Sequence, residues 1–384
     1  MLYSLDGRGR SRRYAWTLLA ATAAACSPDD PTSPRAPDEP VAGDAVRASA
    51  DLADALPVRL SNRFAYVFAN QPTSASYAPS TAYAYNATGG AIQITRGGAG
   101  TYIVTFASPT GWTSSKLGFA ITAYGSSTLD CQMRNSLMAG TNLSVYVFCF
   151  DRATLAASDS YFTLLVVGSG SLLPRSAFAW ADQTIAPSYT PNPLSSYTSG
   201  PGAIQVTHGA LAGDYTVDLG TGNTQHSTVL VNAVASTRDL CKVGEWHITS
   251  VRLRCFDAAG APSNRYYWVL QVDGGRTGRR LGFAFANQPT AASYTPNVNY
   301  SRNSSGGAVK ATRWSTGRYA IEFAGLQKLP GHTETVQVTP WGSGPTLCKV
   351  VGWGNFGAGL RVDVQCRKLD GTFVDSRYNV LVIE

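Results

Sequence analysis

Seven cysteines carry the most legible chemistry in the chain. Six fall as Cys131 and Cys149, Cys241 and Cys255, and Cys348 and Cys366, at spacings of 18, 14 and 18. Six cysteines allow many connectivities. One pair recurs in each copy of a repeated pattern, which selects three bridges within copies. Closing a loop of this size stabilises a fold by about 3 kcal/mol. Thiolate zinc ligation would need a third and fourth ligand beside each pair, and no second cysteine or regular histidine lies near. Four histidines, His208, His226, His247 and His332, occupy no repeated position. His-Glu-x-x-His, Gly-Lys-Ser/Thr and Gly-x-Ser-x-Gly are all missing. Paired carboxylates remain the one hydrolytic option, but acids are sparse. The recurring type, Asp151 and Asp257, suits a turn capped by its own side chain. The reading is a chain with no catalytic residue, metal or cofactor.

Binding chemistry is carried instead by aromatic and arginine side chains. Trp341 and Trp353 stand in segments that vary between copies, where an indole can stack on a sugar ring or a protein surface. Arg279, Arg280, Arg313 and Arg318 offer planar forks that match carboxylate or phosphate.

The elements that must position these residues come from a pattern written three times. Gly90–Arg96 with Gly100–Phe106 returns as Gly202–His208 with Gly213–Leu219, and again as Gly307–Arg313 with Gly317–Phe323. Apolar residues take every second position on both sides of a glycine-bearing turn, so each copy predicts a β-hairpin. Ahead of it stand Tyr66–Thr73, Phe178–Gln183 and Phe283–Thr290, each an aromatic-alanine strand running into a turn. Tyr77, Tyr189 and Tyr294 follow in register, which suits core or corner packing. Behind it come Phe119-x-Ile121-x-Ala123, Val229-x-Val231-x-Ala233 and Val336-x-Val338, then the cysteine strands. Phe162–Leu164, Tyr266–Trp268 and Tyr378–Val380 close the copies. Seven or eight short strands per copy predict an all-β protein of three tandem antiparallel β-sandwich modules, with jelly-roll connectivity as one option. The expected bounds are 58–170, 171–275 and 276–384. Short linkers at 168–174 and 274–278 predict beads on a string.

The formal charge of +7 is unevenly spread. From Ser27 to Pro57 two arginines face seven acids, whereas from Arg276 onward 13 basic residues face six acidic ones. A basic third module favours anionic partners through attraction that salt weakens. Nucleic acid fits the charge, but no recognition motif accompanies it.

Arg8, Arg10, Arg12 and Arg13 precede a short apolar run that ends in small residues, so 1–25 reads as a secretory signal. Ala23-Ala24-Ala25-Cys26 resembles a bacterial lipobox, which implies cleavage before Cys26 and lipid attachment to its sulfur. Ala23 stands where Leu is usual, and ordinary signal cleavage nearby is the alternative. Residues 26–57 are rich in Pro, Asp and Ala, too poor in apolar residues to fold, and read as a disordered tether. The lipid would be the only membrane attachment.

The recurring Phe-Ala-Phe-Ala-Asn-Gln-Pro-Thr, Gly-x-Tyr-x-Val-x-Phe and Val-x-Cys-Phe-Asp elements resemble a module of uncharacterised secreted repeat proteins and lipoproteins of high-GC bacteria. The resemblance implies an exported repeat protein, either an envelope lipoprotein or a secreted one, and supplies no activity or site residue. Three functions are held against each other. The first is non-catalytic binding or adhesion to an anionic envelope polymer, a glycan or a surface protein. The second is a structural spacer, and the third an extracellular enzyme acting on polysaccharide.

Overall fold

Among the described residues, alternating residues form nine strands in each copy, against the seven or eight expected. The computed structural model describes residues 63–109, 111–112, 116–172, 175–275, 279–329 and 333–384. Cys26, the leader, the tether, Arg276 and His332 lie outside the described residues. The first copy comprises β1 (Phe64–Ala69), β2 (Ser76–Tyr77), β3 (Ala84–Asn86), β4 (Ile92–Gly98), β5 (Thr101–Phe106), β6 (Leu117–Tyr124), β7 (Leu129–Ala139), β8 (Asn142–Asp151) and β9 (Tyr161–Gly168). The second comprises β10 (Ser176–Ala181), β11 (Ser188–Tyr189), β12 (Ser196–Thr198), β13 (Gln205–His208), β14 (Asp214–Asp218), β15 (Ser227–Ala233), β16 (Leu240–Trp246), β17 (Ser250–Phe256) and β18 (Tyr267–Asp273). The third comprises β19 (Leu281–Ala286), β20 (Ser293–Tyr294), β21 (Ser301–Asn303), β22 (Val309–Ser315), β23 (Arg318–Phe323), β24 (Thr335–Trp341), β25 (Thr346–Phe356), β26 (Gly359–Lys368) and β27 (Arg377–Ile383). Strand n therefore corresponds to strands n+9 and n+18. The strands missing from the sequence reading are those of two or three residues, too short to show a period.

Each copy is a two-sheet antiparallel sandwich. In the first, an outer sheet β2-β4-β5-β8-β7 packs on an inner sheet β3-β1-β9-β6. The sandwiches are not beads on a string. The outer sheet of the third copy runs through β25 and β6 into the inner sheet of the first, making nine strands. The outer sheet of the second copy runs likewise through β16 and β24 into the inner sheet of the third. Both junctions are parallel bridges, Val350 with Tyr124 and Val243 with Trp341. The equivalent bridge of Met133 with Val234 links the first copy to the second and closes a ring. Each bridge falls where β7, β16 or β25 begins a bulge, at Met133/Asn135, Val243/Glu245 and Val350/Gly352. A bulge bends its strand, which restricts pairing with the neighbour to one residue.

The ring follows from the inner strands. Every residue of β18 and β24 is buried, as are all but the first of β9 and β27. Burial on both faces requires cover on both sides, which one sandwich cannot supply. Each inner sheet turns its second face toward the other two. Gly118 of β6 meets Phe178 of the second copy so closely that a Cβ there would stand 2.5 Å from the ring. Phe178, Leu230, Trp268, Phe283 and Leu381 of the later copies accordingly share one apolar cluster with the first copy's core.

Candidate ligand-binding surface

Three bridges form within copies as the repeat requires: Cys131–Cys149, Cys241–Cys255 and Cys348–Cys366. Each joins residues directly opposite in an antiparallel pair. Three such bridges suit an oxidising compartment. Asp151 and Asp257 cap turns with their side chains, accepting from Ala153 and Thr154 and from Ala259 and Ala261. Tyr77, Tyr189 and Tyr294 serve as corner residues whose hydroxyls accept the N–H of Gln71, Gln183 and Gln288.

Another acid also recurs, which the sequence reading overlooked. Asp159 takes two hydrogen bonds from Arg96, one from the Gly100 N–H and one from the Tyr102 hydroxyl. Asp375 receives the same set from Arg313, Gly317 and Tyr319. The arginine hydrogen bonds, above all, hold both carboxyls below the usual range. In the second copy His208 pairs with Asn264 at 2.8 Å, and Asn264 accepts the Gly213 N–H. The latch is structural, since its donors and acceptors satisfy one another across the hairpin turn.

The tryptophans singled out from the sequence are packed into the joints of the ring. Trp341 is 5% exposed and meets Phe285 at 5.3 Å, while Phe285 meets Trp246 at 5.3 Å. Trp353 occupies the matching place between the third and first copies, 5.2 Å from Phe68 and 5.4 Å from Tyr124. Its Nε1 donates to Glu334, whose carboxyl burial pushes up. These rings meet their neighbours edge-on or tilted; Trp341 is buried, against the expectation of a displayed indole, and Trp353 is half-buried in its joint.

Three of the four arginines are likewise engaged. Arg279 lies over the Phe64 ring at 3.6 Å, a cation–π contact between the third and first copies. Arg280 pairs with Glu384 at 2.9 Å, and Arg313 belongs to the latch. Arg318 stays exposed, its guanidinium 4.5 Å from the Phe373 ring.

What the sequence reading missed is Trp314. It is 52% exposed, the only tryptophan among the described residues so displayed. The sister copies carry Gly97 and Gly209 after the matching Arg96 and His208. A tryptophan replacing a hairpin glycine is not needed by the core, and that signal was present in the sequence. Beside it on the third copy's outer sheet lies Arg361, 5.0 Å from the Trp314 ring and 4.7 Å from the ring of Phe356, itself 51% exposed. Asp363 engages Arg361 at Nε (3.0 Å) and at Nη2 (3.5 Å), and Nη1 has no hydrogen bond among the described residues. Strand register places Lys310, Glu322, Arg361 and Gly354 in one row across β22, β23, β26 and β25. A side chain at Gly354 would meet nothing within 4 Å, so the row ends in open sheet. The corresponding row of the first copy holds Gln93, Thr105 and Ser144, uncharged throughout.

Among the described residues, no group of three His, Cys, Asp or Glu side chains is placed to hold a metal. The fold and this surface define an all-β protein of three disulfide-stapled sandwiches closed into a ring. No known protein family, curated protein or solved structure matches the chain.

Proposed function

We propose that the chain is a non-catalytic, exported binding protein whose ring displays a surface for an anionic glycan. The observation that supports this reading is Trp314 beside Arg361. An exposed indole stacks on the apolar face of a sugar ring, and a guanidinium N–H donates to a carboxylate next to it. Lys310, exposed in the same row, adds a second cation. The signal-like leader and the lipobox resemblance at Cys26 support envelope attachment, and the three disulfides agree with export. A closed ring gains no length as copies are added, so the spacer alternative draws no support from it.

The test is binding of the mature chain to polygalacturonate and to dextran at low and high salt. Polygalacturonate should bind and dissociate as salt rises, and dextran should bind far more weakly. Trp314→Ala and Arg361→Gln should each weaken binding by about tenfold. Equal binding of both polymers, or wild-type binding by both variants, would refute the reading.

A further inference from the structure

A cleft of about 580 Å3 opens where the second copy hands over to the third, against about 40 Å3 for a cavity lined by all three copies. Its size falls within the range of small-molecule sites. One wall carries Arg175, His226 and Asp273, and the other Arg302, Pro296 and Val298. The two walls are fixed to each other through the backbone of one residue. The His226 N–H donates to the Asn299 carbonyl at 2.6 Å, and its carbonyl accepts the Gly274 N–H at 2.7 Å.

The charges in the cleft do not cancel. Asp273 is 1% exposed and is matched by Arg175, 2.8 Å away, and by the Gly275 N–H. Arg302 has neither ion pair nor hydrogen bond among the described residues, and it is exposed. Its stem lies against Gly274, where a Cβ would stand 2.8 Å from its Cγ, so the glycine leaves room for it. Register places Arg302 opposite Phe283 on β21. In the sister copies that position holds Tyr85 and Tyr197, which pack on Tyr66 and Phe178. The third copy has thus exchanged a packing aromatic for an unmatched cation on the wall of a cavity. Pro296 and Val298, the latter 72% exposed, give the same wall an apolar surface.

We propose that this cleft binds a small molecule bearing one oxyanion group on a sugar-sized body, with Arg302 recognising the charge. A carboxylate or a phosphate meets the same guanidinium fork. Pro296 and Val298 cover the body of the ligand, and His226 lines the opposite wall. The site is separate from the Trp314 surface and takes a small ligand rather than a polymer.

The experiment is calorimetric titration of the mature chain with glucuronate, glucose 6-phosphate and glucose. At least one of the two anions should bind and glucose should not; which anion binds identifies the head group. Arg302→Gln should weaken that binding by about tenfold or more, and Arg302→Lys by less, because an ammonium keeps the charge and loses the fork. Arg302 is exposed, so neither change should disturb the fold. The loss caused by Arg302→Gln should persist when Trp314 and Arg361 are also substituted, which separates failure here from failure of the glycan surface. Absence of binding by both anions, equal binding of glucose, or wild-type affinity in Arg302→Gln would overturn the proposal.

Discussion

The hydroxyl of Thr122 accepts the Val338 N–H at 3.0 Å and lies 3.4 Å from the carbonyl of the same residue, so one side chain occupies an open strand edge in another copy. Thr339 does the same to Val231, and Asn232 to Ile121. Thr122, Asn232 and Thr339 are equivalent positions, as are Ile121, Val231 and Val338. The three contacts form a cycle in which the first copy caps the third, the third caps the second and the second caps the first.

This cycle makes the ring one cooperative unit. Asn232→Ala removes both partners of the Ile121 edge and should cost about 1–3 kcal/mol for the buried groups left unpaired. Denaturant unfolding followed by tryptophan fluorescence and by far-UV circular dichroism should give coincident single transitions, shifted together in the variant. Separate transitions for the copies would show that the joints carry no stability.

Buried lysines sit at two joints. Lys242 is 1% exposed and donates to the Gly344 carbonyl and the Thr346 hydroxyl of the third copy, with Arg254 as the neighbouring charge. Burial, then Arg254, brings its pKa down to about 7. Above that value the folded chain has released a proton that the unfolded chain retains up to the ordinary lysine range. Stability should therefore rise with pH from neutrality until the tyrosines of the unfolded chain ionise. Gln132 holds the matching position in the first copy and bonds the Asp239 carbonyl. Lys242→Gln should accordingly fold and flatten the rise, as thermal denaturation across that pH range would report.

The latch predicts a paired substitution. Asp375→Asn alone leaves Arg313 without its carboxylate and should cost about 1–3 kcal/mol. Adding Arg313→His reproduces the His208–Asn264 pair of the second copy and should recover part of the loss. The carboxyls of Asp159 and Asp375 are held low, so their contribution is complete above the ordinary carboxylate range. It should fade as pH falls through their lowered values. Acid unfolding midpoints of the single and double variants measure both effects.

Non-reducing peptide mapping should find the three bridges within copies and none between them. Cys241→Ala should leave Cys255 as a free thiol and cost about 2–5 kcal/mol. Because the copies share sheets, the loss should lower one common unfolding transition rather than that of the second copy alone.

Alternation, turn glycines and cysteine spacing determined the local structure by themselves. Those signals come from neighbours along the chain and between copies, so hairpins, bridges and the all-β class were readable from residues such as Ile92, Gly100 and Cys149. The ring was decided by tertiary structure, because a strand edge and the second face of a sheet leave only a faint sequence trace. That trace was there in runs such as Phe162–Val167 and Tyr378–Ile383, whose near-continuous apolar character asks for cover on both faces. Trp341 and Trp353 looked like ligand residues because they vary between copies, but each joint repacks its own aromatic set. Exposure is a property of the assembled surface, which is why Trp314 and Arg302 stand out once the neighbours that leave them uncovered are in place.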